Sequence, residues 1–392
     1  MLKLPIYLDH NATTPCDPRV VEAMIPYFTN HFGNAASRHH SFGWQATAAV
    51  DLAREQVAEL IGAETGEIVF TSGATEAVNL ALKGVFEMYA SKGTHIISCV
   101  TEHKAVLDTC KHLEKLGADI TYLKVAADGL INLQELEEAM KPTTILVALM
   151  YANNETGVVQ PIKEISNIAR KKGAFFFTDA TQAAGKIKVD VNNNGIDLLA
   201  LSAHKLYGPK GVGALYVRRK APRVRLIAQM DGGGHERGMR SGTLNVPGIV
   251  GFGKACELCR QEMHVDGERL SKLRDRLEDA LTRIDAVTIN GSSEHRLPQV
   301  SNMSFKNVEG EGLLLSLNKE IALSSGSACT SASIEPSYVL KALGLSDELA
   351  HSSLRFGLGR YTTEEEIEYT INRISEIVSK MRQMYTESVG MN

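Results

Sequence analysis

Apolar runs of strand length alternate with amphipathic helical patterns over the first 260 residues, and this alternation constrains the fold most strongly. The runs are EIVFTSG, THIISCV, TTILVALMYA, AFFFTDA and DLLALSA. Between them, segments such as AVDLAREQVAELIG place Val50, Val57 and Ile61 on one helical face. Strands that are apolar on both faces and joined by helical crossovers form a buried, mostly parallel sheet. We therefore expect an α/β protein.

The pattern changes after about residue 260. GERLSKLRDRLEDALTRI predicts a charged amphipathic helix, AVTING and QVSNMSF predict edge-exposed strands, and another long helix is expected from Glu364. A chain of 392 residues is too long for one ordinary compact domain. We predict a large domain over residues 16–260 and a small α+β domain formed by residues 1–15 and 261–392.

Composition and charge argue against several classes of protein. The formal net charge is −4, and the basic cluster RRKAPRVR (residues 218–225) is expected in a solvated loop, so we predict no nucleic-acid binding. No run approaches the ~18 apolar residues of a membrane span, and MLKLPIYLDHNATTP has no signal-peptide core. Six cysteines in a chain of this size are typical of reduced thiols. Cys256 and Cys259 form a CxxC without a second pair, so no metal site is predicted. We expect a cytoplasmic protein that does not bind membranes.

Polar residues follow the predicted strands where each one ends. In open α/β sheets, ligands bind at the carboxyl ends of the strands, so we expect these residues to meet at one rim. They are Ser72, Gly73, Ala74, Thr75, His103, Asn153, Asn154, Asp179, Gln182, Ser202, His204 and Lys205. The glycine patterns of dinucleotide-binding and P-loop proteins are absent, which leaves those two ligand classes without sequence support.

The residues at this rim supply the groups that pyridoxal 5'-phosphate (PLP) requires. Its aldehyde needs an amine, which Lys205 offers, and its ring nitrogen needs a carboxylate, which Asp179 offers. Its phosphate binds backbone N–H groups at the start of a helix, such as the turn that contains Thr75. His103 offers a ring to stack on the cofactor. The sequence therefore predicts PLP as the cofactor.

Nine longer motifs carry a family resemblance. They are YLDHNATTP, SGATEAVN, TEHKAV, NNETGVVQPI, TDATQAAGK, SAHKLYGPKGVGALYV, GGGHERGMRSGT, SSGSACTSAS and LAHSSLRFGLGR. With them, the chain resembles the NifS/IscS family of cysteine desulfurases, and especially its housekeeping IscS branch, from residue 7 to about residue 382. The resemblance implies the aminotransferase-like type I PLP fold, with a mostly parallel seven-stranded sheet in a PLP-binding large domain. It also implies a homodimer with its sites near the subunit interface.

The same resemblance assigns roles to single residues. Lys205 is the implied attachment point of the cofactor and a catalytic residue. Arg355, with Asn154, is implied to bind the substrate carboxylate, which a guanidinium fits better than an ammonium does. The implied cofactor-binding residues are Ala74, Thr75, His103, Asn154, Asp179, Gln182, Ser202, His204 and Lys205, together with Thr243 reaching across from the partner subunit.

The segment LSSGSACTSASIEPSY surrounds Cys329 with small residues and has no apolar periodicity, which predicts a loop with a reactive thiol. By resemblance, the small domain carries this catalytic cysteine. Cys329 takes the sulfur of L-cysteine as a persulfide and releases L-alanine. The sulfur then passes to acceptor proteins such as an iron–sulfur scaffold, for cluster assembly and other thiolation pathways. Cys329 could also serve as a transient cluster ligand shared with the scaffold.

Three alternatives stay open at this point. His103 is either an acid/base or only a stacking ring. A PLP-dependent aminotransferase or selenocysteine lyase on the same fold would keep Lys205 and Asp179, so only the Cys329 segment separates these activities. A non-catalytic scaffold with a vestigial pocket is a third possibility.

Overall fold

A seven-stranded sheet forms the centre of the molecule. The computed structural model describes residues 2–325 and 335–389. In this part of the chain the strands are β1 (Ile6–Tyr7), β2 (Ile68–Thr71), β3 (His95–Cys99), β4 (Asp119–Leu123), β5 (Thr144–Ala148), β6 (Phe175–Asp179), β7 (Leu198–Ser202), β8 (Gly213–Val217), β9 (Val287–Ile289), β10 (Val300–Phe305), β11 (Ile321–Ala322), β12 (Ser324–Ser325) and β13 (Ser353–Gly357). The central sheet has the order β2-β8-β7-β6-β5-β3-β4. Only β8 runs antiparallel to its neighbours, so the expected mostly parallel sheet is confirmed.

Helices cover both faces of this sheet. Within the described residues they are α1 (Pro18–Met24), α2 (Pro26–Thr29), α3 (Ser41–Ile61), α4 (Ala74–Tyr89), α5 (Lys104–Lys115), α6 (Leu133–Ala139), α7 (Ile162–Lys171), α8 (Val246–Leu281), α9 (Gly310–Leu317), α10 (Tyr338–Ala342), α11 (Asp347–His351) and α12 (Glu364–Val389). Leu198 and Ala200 of β7 pack with α4 and α5, whereas Leu199 and Leu201 pack with α3 and α8. Because successive strand residues point to opposite faces, a strand between two helical layers is apolar throughout.

A smaller antiparallel sheet has the order β12-β13-β10-β9. The strand in QVSNMSF, β10, is interior and fully buried, so the expectation that it is edge-exposed is wrong; β9, the strand in AVTING, does lie at the edge. The polar residues of β10 suggested an exposed face, but they are hydrogen-bonded inside. Asn302, for example, accepts from Asn290 Nδ2 at 2.7 Å and donates to the carbonyl of Glu155 at 3.1 Å.

One continuous helix, α8, connects the regions around the two sheets. Its first half, through Cys259, packs in the core beneath the central sheet, and its second half, from Leu270, packs in the core of the smaller sheet. The predicted domain boundary at residue 260 therefore falls inside a helix. The division into residues 16–260 and the remainder stays a prediction.

The basic cluster at residues 218–225 is only partly solvated. Arg218 is buried, donates from Nη2 to the carbonyl of Val191 at 2.8 Å, and pairs with Asp197 at 3.2 Å, so the expectation of a solvated loop is wrong for this residue. It directly follows β8, and its guanidinium is drawn into the interior by carbonyl acceptors. Arg219, Arg223 and Arg225 are exposed as expected. Among the helices described here, none is long and apolar enough to cross a membrane.

Candidate active site

A cavity of about 950 Å³ lies at the carboxyl ends of the central strands. Twelve of the residues singled out from the sequence line it, whereas Asn153 does not. The twelve are Ser72, Gly73, Ala74, Thr75, His103, Asn154, Asp179, Gln182, Ser202, His204, Lys205 and Arg355. Thr243 is exposed and is not part of the lining of its own chain's cavity. Cys329 lies outside the described residues. The fold thus brings together side chains from five strand ends and from the smaller sheet.

The Lys205 amine is held against the N-terminal segment. A short 3₁₀ turn, Ala203–Lys205, follows β7 and places Lys205 at the cavity wall. Its Nζ donates to the carbonyls of Asn11 and Ala12, the latter at 2.6 Å. Sequence reasoning singled out the lysine but assigned no role to the two residues that hold it. Asn11 and Ala12 lie in the HNATT stretch, which belongs to one of the motifs that carry the family resemblance.

Asp179 and Gln182 extend the same wall. Asp179 ends β6, is only 7% exposed, and accepts from the backbone N–H of Thr181 at 3.0 Å. Gln182 Nε2 donates to the carbonyl of Asn11 at 3.0 Å. The carbonyl of Asn11 therefore accepts from both Gln182 and Lys205. These contacts fix the Lys205 amine in the wall of the cavity that also contains Asp179.

The N-terminus of α4 forms one end of the cavity. Gly73 precedes the helix with φ 156° and ψ 179°, a conformation that residues with a side chain rarely adopt, and no side chain caps the helix start. A Cβ at Gly213 on β8 would lie 2.7 Å from the Gly73 Cα, so a glycine is needed where the two segments pass. The uncapped first turn, which contains Ala74 and Thr75, offers backbone N–H groups to an anion.

His103 and the residue before it occupy very different environments. His103 is exposed and is the N-cap that directly precedes α5. Its Nδ1 accepts from the backbone N–H of Ala105 at 3.1 Å, so the neutral ring carries its proton on Nε2. Glu102 is fully buried, and its Oε1 accepts from the backbone N–H of Met150 at 2.7 Å. Desolvation, with a smaller contribution from the nearby charge of Asp179, raises the pKa of Glu102 well above its ordinary value. Sequence reasoning did not identify Glu102, since burial of one glutamate has no local signature.

His204 is a neutral hydrogen-bonding group. Its Nδ1 lies 3.1 Å from Thr13 Oγ1. Burial, reinforced by the positive charges of Lys205 and Lys210, lowers the pKa of His204 to about 4. The imidazole is therefore uncharged at neutral pH, and it can contribute hydrogen bonds but no positive charge to the cavity.

Arg355 comes from the middle of β13 in the smaller sheet. Its Nη2 donates to Asp9 Oδ1 at 2.7 Å and to Ser324 Oγ at 3.1 Å, and its Nη1 donates to the carbonyl of Asn154 at 3.1 Å. Its Nε is buried and has no hydrogen-bond partner among the described residues. Three of its five N–H groups thus fix the guanidinium in orientation, and those on Nε and the second on Nη1 have no partner among the described residues. Asp9 was not foreseen, because it lies 346 residues away in sequence.

Two buried polar atoms in the cavity wall support a fit to PLP. Within the described residues, Asn154 Oδ1 and Thr181 Oγ1 lack hydrogen-bond partners. Buried polar atoms in native proteins are nearly always hydrogen-bonded, so these atoms point to a polar ligand. An amine, a carboxylate, amides and an uncapped helix start surround the same space, and this donor set fits PLP.

Comparisons with known proteins agree with this geometry. The family model for Aminotransferase class-V matches residues 6–370. Cysteine desulfurase IscS of Anaeromyxobacter dehalogenans (strain 2CP-C) is 59% identical over 384 residues, which cover 98% of this chain and 95% of that protein. A solved NifS-like protein is 38% identical with a TM-score of 0.90, covering 96% of this chain and 100% of the other. The structure of SspA in complex with cysteine is 38% identical with a TM-score of 0.81, covering 91% and 100%.

The resemblance noted in the sequence is thereby confirmed, and membership of this family implies PLP as the cofactor. The chain belongs to the class-V aminotransferase family and, within it, to the IscS-type cysteine desulfurases.

Proposed function

We propose that this protein is a PLP-dependent cysteine desulfurase that converts L-cysteine to L-alanine and transfers the sulfur to Cys329. The observation that carries the proposal is the meeting of the Lys205 amine, the Asp179 carboxylate and the uncapped start of α4 around one cavity. Its relationship to proteins named cysteine desulfurase supports the reaction, and a relative solved in complex with cysteine supports the substrate.

The cavity residues divide into three groups around the cofactor. Lys205 would hold the cofactor covalently, and Asp179 would keep a proton on its ring nitrogen. The N–H groups and hydroxyls around Thr75, with Ser202 and His204, receive the phosphate. The remaining contacts to the ring come from His103, Asn154 and Gln182. When bound, the cofactor supplies an electron sink that lowers the cost of removing the Cα proton of the substrate.

The chain's own groups then bind substrate and move protons. Arg355 binds the carboxylate of L-cysteine, assisted by Asn154. The Lys205 amine takes the proton from Cα and returns it later. The Cys329 thiolate attacks the substrate Sγ, so that an S–S bond forms as the Cβ–Sγ bond breaks. The electron pair of that bond stays with the substrate carbon, which takes up a proton and leaves as L-alanine. His103, which lines the cavity, is the candidate for delivering that proton, through Nε2.

Exposed apolar side chains support a homodimer. Ile25, Phe28, Phe32, Phe42 and Trp44 are between 45% and 64% exposed, and the rings of Phe32 and Phe42 lie 5.2 Å apart. Monomeric proteins rarely expose a large contiguous apolar patch, so a second copy of this chain is the proposed cover. In such a dimer, the exposed Thr243 serves the phosphate site of the partner subunit rather than its own.

The persulfide on Cys329 is proposed to pass its sulfur to an acceptor protein such as an iron–sulfur scaffold, with Cys329 as a transient shared cluster ligand. A cytoplasmic location is proposed with it. The cysteines of the described residues are all free, which supports a reducing compartment.

Mass spectrometry after incubation with L-cysteine and no acceptor tests the reaction. We expect extra sulfur on Cys329 and on none of Cys16, Cys99, Cys110, Cys256 and Cys259. Burial is the main cause that raises the pKa of Cys99 to about 11 and that of Cys110 to about 12, so these thiols are poor nucleophiles. Extra sulfur mainly on Cys16, or alanine released without any persulfide, contradicts the proposal. Full sulfur release by Cys329→Ala would favour an aminotransferase-like or lyase mechanism instead.

A further inference from the structure

We propose that Arg240 enables the cofactor phosphate to bind, by neutralising Glu76 in the first turn of α4. This inference rests on the proposed function, because the anion concerned is the phosphate of PLP. It assigns a role to an ion pair that neither the sequence patterns nor the reaction steps require.

The geometry places a carboxylate at the anion-binding end of the cavity. Glu76 lines the cavity, and its Oε2 accepts from the backbone N–H of Ser72 at 2.8 Å. Arg240 Nε donates to Glu76 Oε1 at 2.8 Å, and Arg240 Nη2 donates to Oε2 at 3.3 Å. The two side chains are only 18% and 17% exposed, so solvent screens the pair less than it would on an open surface.

A carboxylate at this position competes with the ligand. The start of a helix favours one negative charge, and Glu76 already provides it. Burial acts to raise the pKa of Glu76, but the hydrogen bonds from Arg240 and Ser72 together outweigh burial and lower it. Glu76 is therefore ionised at neutral pH, and without Arg240 a dianionic phosphate would approach an uncompensated negative charge.

Arg240 thus acts through Glu76, as a positioning and charge-compensating residue. It follows the Gly-rich GGGHERG stretch and comes three residues before Thr243. The pair lies at the proposed phosphate end of the cavity, whereas the ring nitrogen is assigned to Asp179. Its loss should therefore weaken the binding of PLP and leave the binding of pyridoxal, which lacks the phosphate, unchanged.

Titration of the full-length protein with PLP and with pyridoxal, followed by absorbance, tests this inference. For Arg240→Gln we expect the Kd of PLP to rise about tenfold, equal to about 1.4 kcal/mol, and the Kd of pyridoxal to stay constant. The double variant Glu76→Gln/Arg240→Gln should return the Kd of PLP close to that of the unmodified protein. Arg283→Gln, an exposed arginine outside the cavity, controls for the change in net charge.

Three outcomes overturn the inference. Equal weakening of PLP and pyridoxal in Arg240→Gln would mean that Arg240 only maintains the fold. A double variant as weak as Arg240→Gln would mean that Arg240 contacts the phosphate directly. An unchanged PLP affinity in Arg240→Gln would mean that the pair is irrelevant to binding. If the unmodified protein binds no PLP, the proposed function itself fails, which is a separate result.

Discussion

The seven-stranded sheet and the smaller antiparallel sheet contribute to the cavity in different ways. The large sheet provides residues where strands end, such as Asp179 at the end of β6 and Lys205 in the turn after β7. The small sheet provides Arg355 from the middle of a strand, and this side chain is oriented by Asp9 and by the carbonyl of Asn154. The first group is positioned by local chain geometry, and the second by contacts between segments far apart in sequence.

We therefore expect the large sheet to govern cofactor binding and the small sheet to govern substrate binding. Changes at the strand ends of the large sheet should disturb the cofactor, whereas changes around Arg355 should disturb the substrate and leave the cofactor in place. The two regions are joined by a partly buried ion cluster in which Arg360 pairs with Asp17 at 2.9 Å and with Asp266 at 3.0 Å.

The largest effect is expected for Lys205→Ala, which removes both the proposed attachment point of the cofactor and the proposed acceptor of the substrate proton. The rate of alanine formation should fall by roughly 10⁴-fold or more, since a positioned acid–base group alone contributes about 10²–10⁴-fold. Any PLP that this variant still binds should be lost on dialysis, because no covalent bond would hold it. Lys210→Ala is the matched control, because Lys210 lines the same cavity. Alanine formation by Lys205→Ala at a rate near that of the unmodified protein would contradict the assignment.

Asp179→Asn should have the next largest effect and should again act through the cofactor. Without a carboxylate the ring nitrogen is not held protonated, and we expect kcat to fall about 10²–10³-fold, the range typical for a preorganised electrostatic group. The absorbance spectrum of the bound cofactor should change with it. Asp108→Asn removes another carboxylate from the cavity lining and should leave kcat nearly constant. If the two variants behave alike, Asp179 has no special role.

Arg355→Lys tests the contribution of the small sheet to substrate binding. A lysine cannot reproduce the forked hydrogen bonds, and loss of one charge-assisted bond costs roughly 1.5–3 kcal/mol. We expect KM for L-cysteine to rise roughly 10–100-fold, with the cofactor spectrum unchanged. Asp9→Asn keeps Arg355 but weakens the contact that orients it. The KM of this variant should therefore lie between that of the unmodified protein and that of Arg355→Lys. Loss of cofactor by Arg355→Lys would contradict the expectation that this residue acts on the substrate alone.

The smallest effect concerns stability and the buried Glu102 of the large sheet. Its folded-state pKa is raised, so below its ordinary pKa both folded and unfolded chains hold the proton. As the pH rises further, only the unfolded chain ionises, and the folded protein loses about 1.4 kcal/mol of stability per pH unit until its own pKa is reached. The side chain introduced by Glu102→Gln cannot ionise. The melting temperature of this variant, relative to that of the unmodified protein, should therefore increase between pH 5 and pH 8.

Thermal unfolding at several pH values measures this difference. The exposed Glu114→Gln is the control and should show little dependence on pH relative to the unmodified protein. A constant difference between Glu102→Gln and the unmodified protein across this range would mean that Glu102 is ionised in the folded state.

Hydrophobic patterns in the sequence were enough to predict the order of most elements and most of the polar residues that line the cavity. Hydrophobic periodicity is a local property, so the strands ending at Asp179 and Ser202 and the helix beginning at Ala74 were all predictable. Strand ends of a parallel sheet meet at one edge, so the residues that follow them could be grouped without a structure. The less apolar edge strand β4 was not among the predicted runs.

Features that depend on contacts between distant segments could not be predicted from the sequence. The interior position of β10, the carbonyls of Asn11 and Ala12 that hold Lys205, the partner of Arg355 and the pairing of Glu76 with Arg240 all join segments far apart in the chain. Burial and charge compensation arise from three-dimensional packing, and a polar residue has the same local pattern whether it faces water or a buried partner. For that physical reason the composition of the site could be predicted from the sequence, and its electrostatics could not.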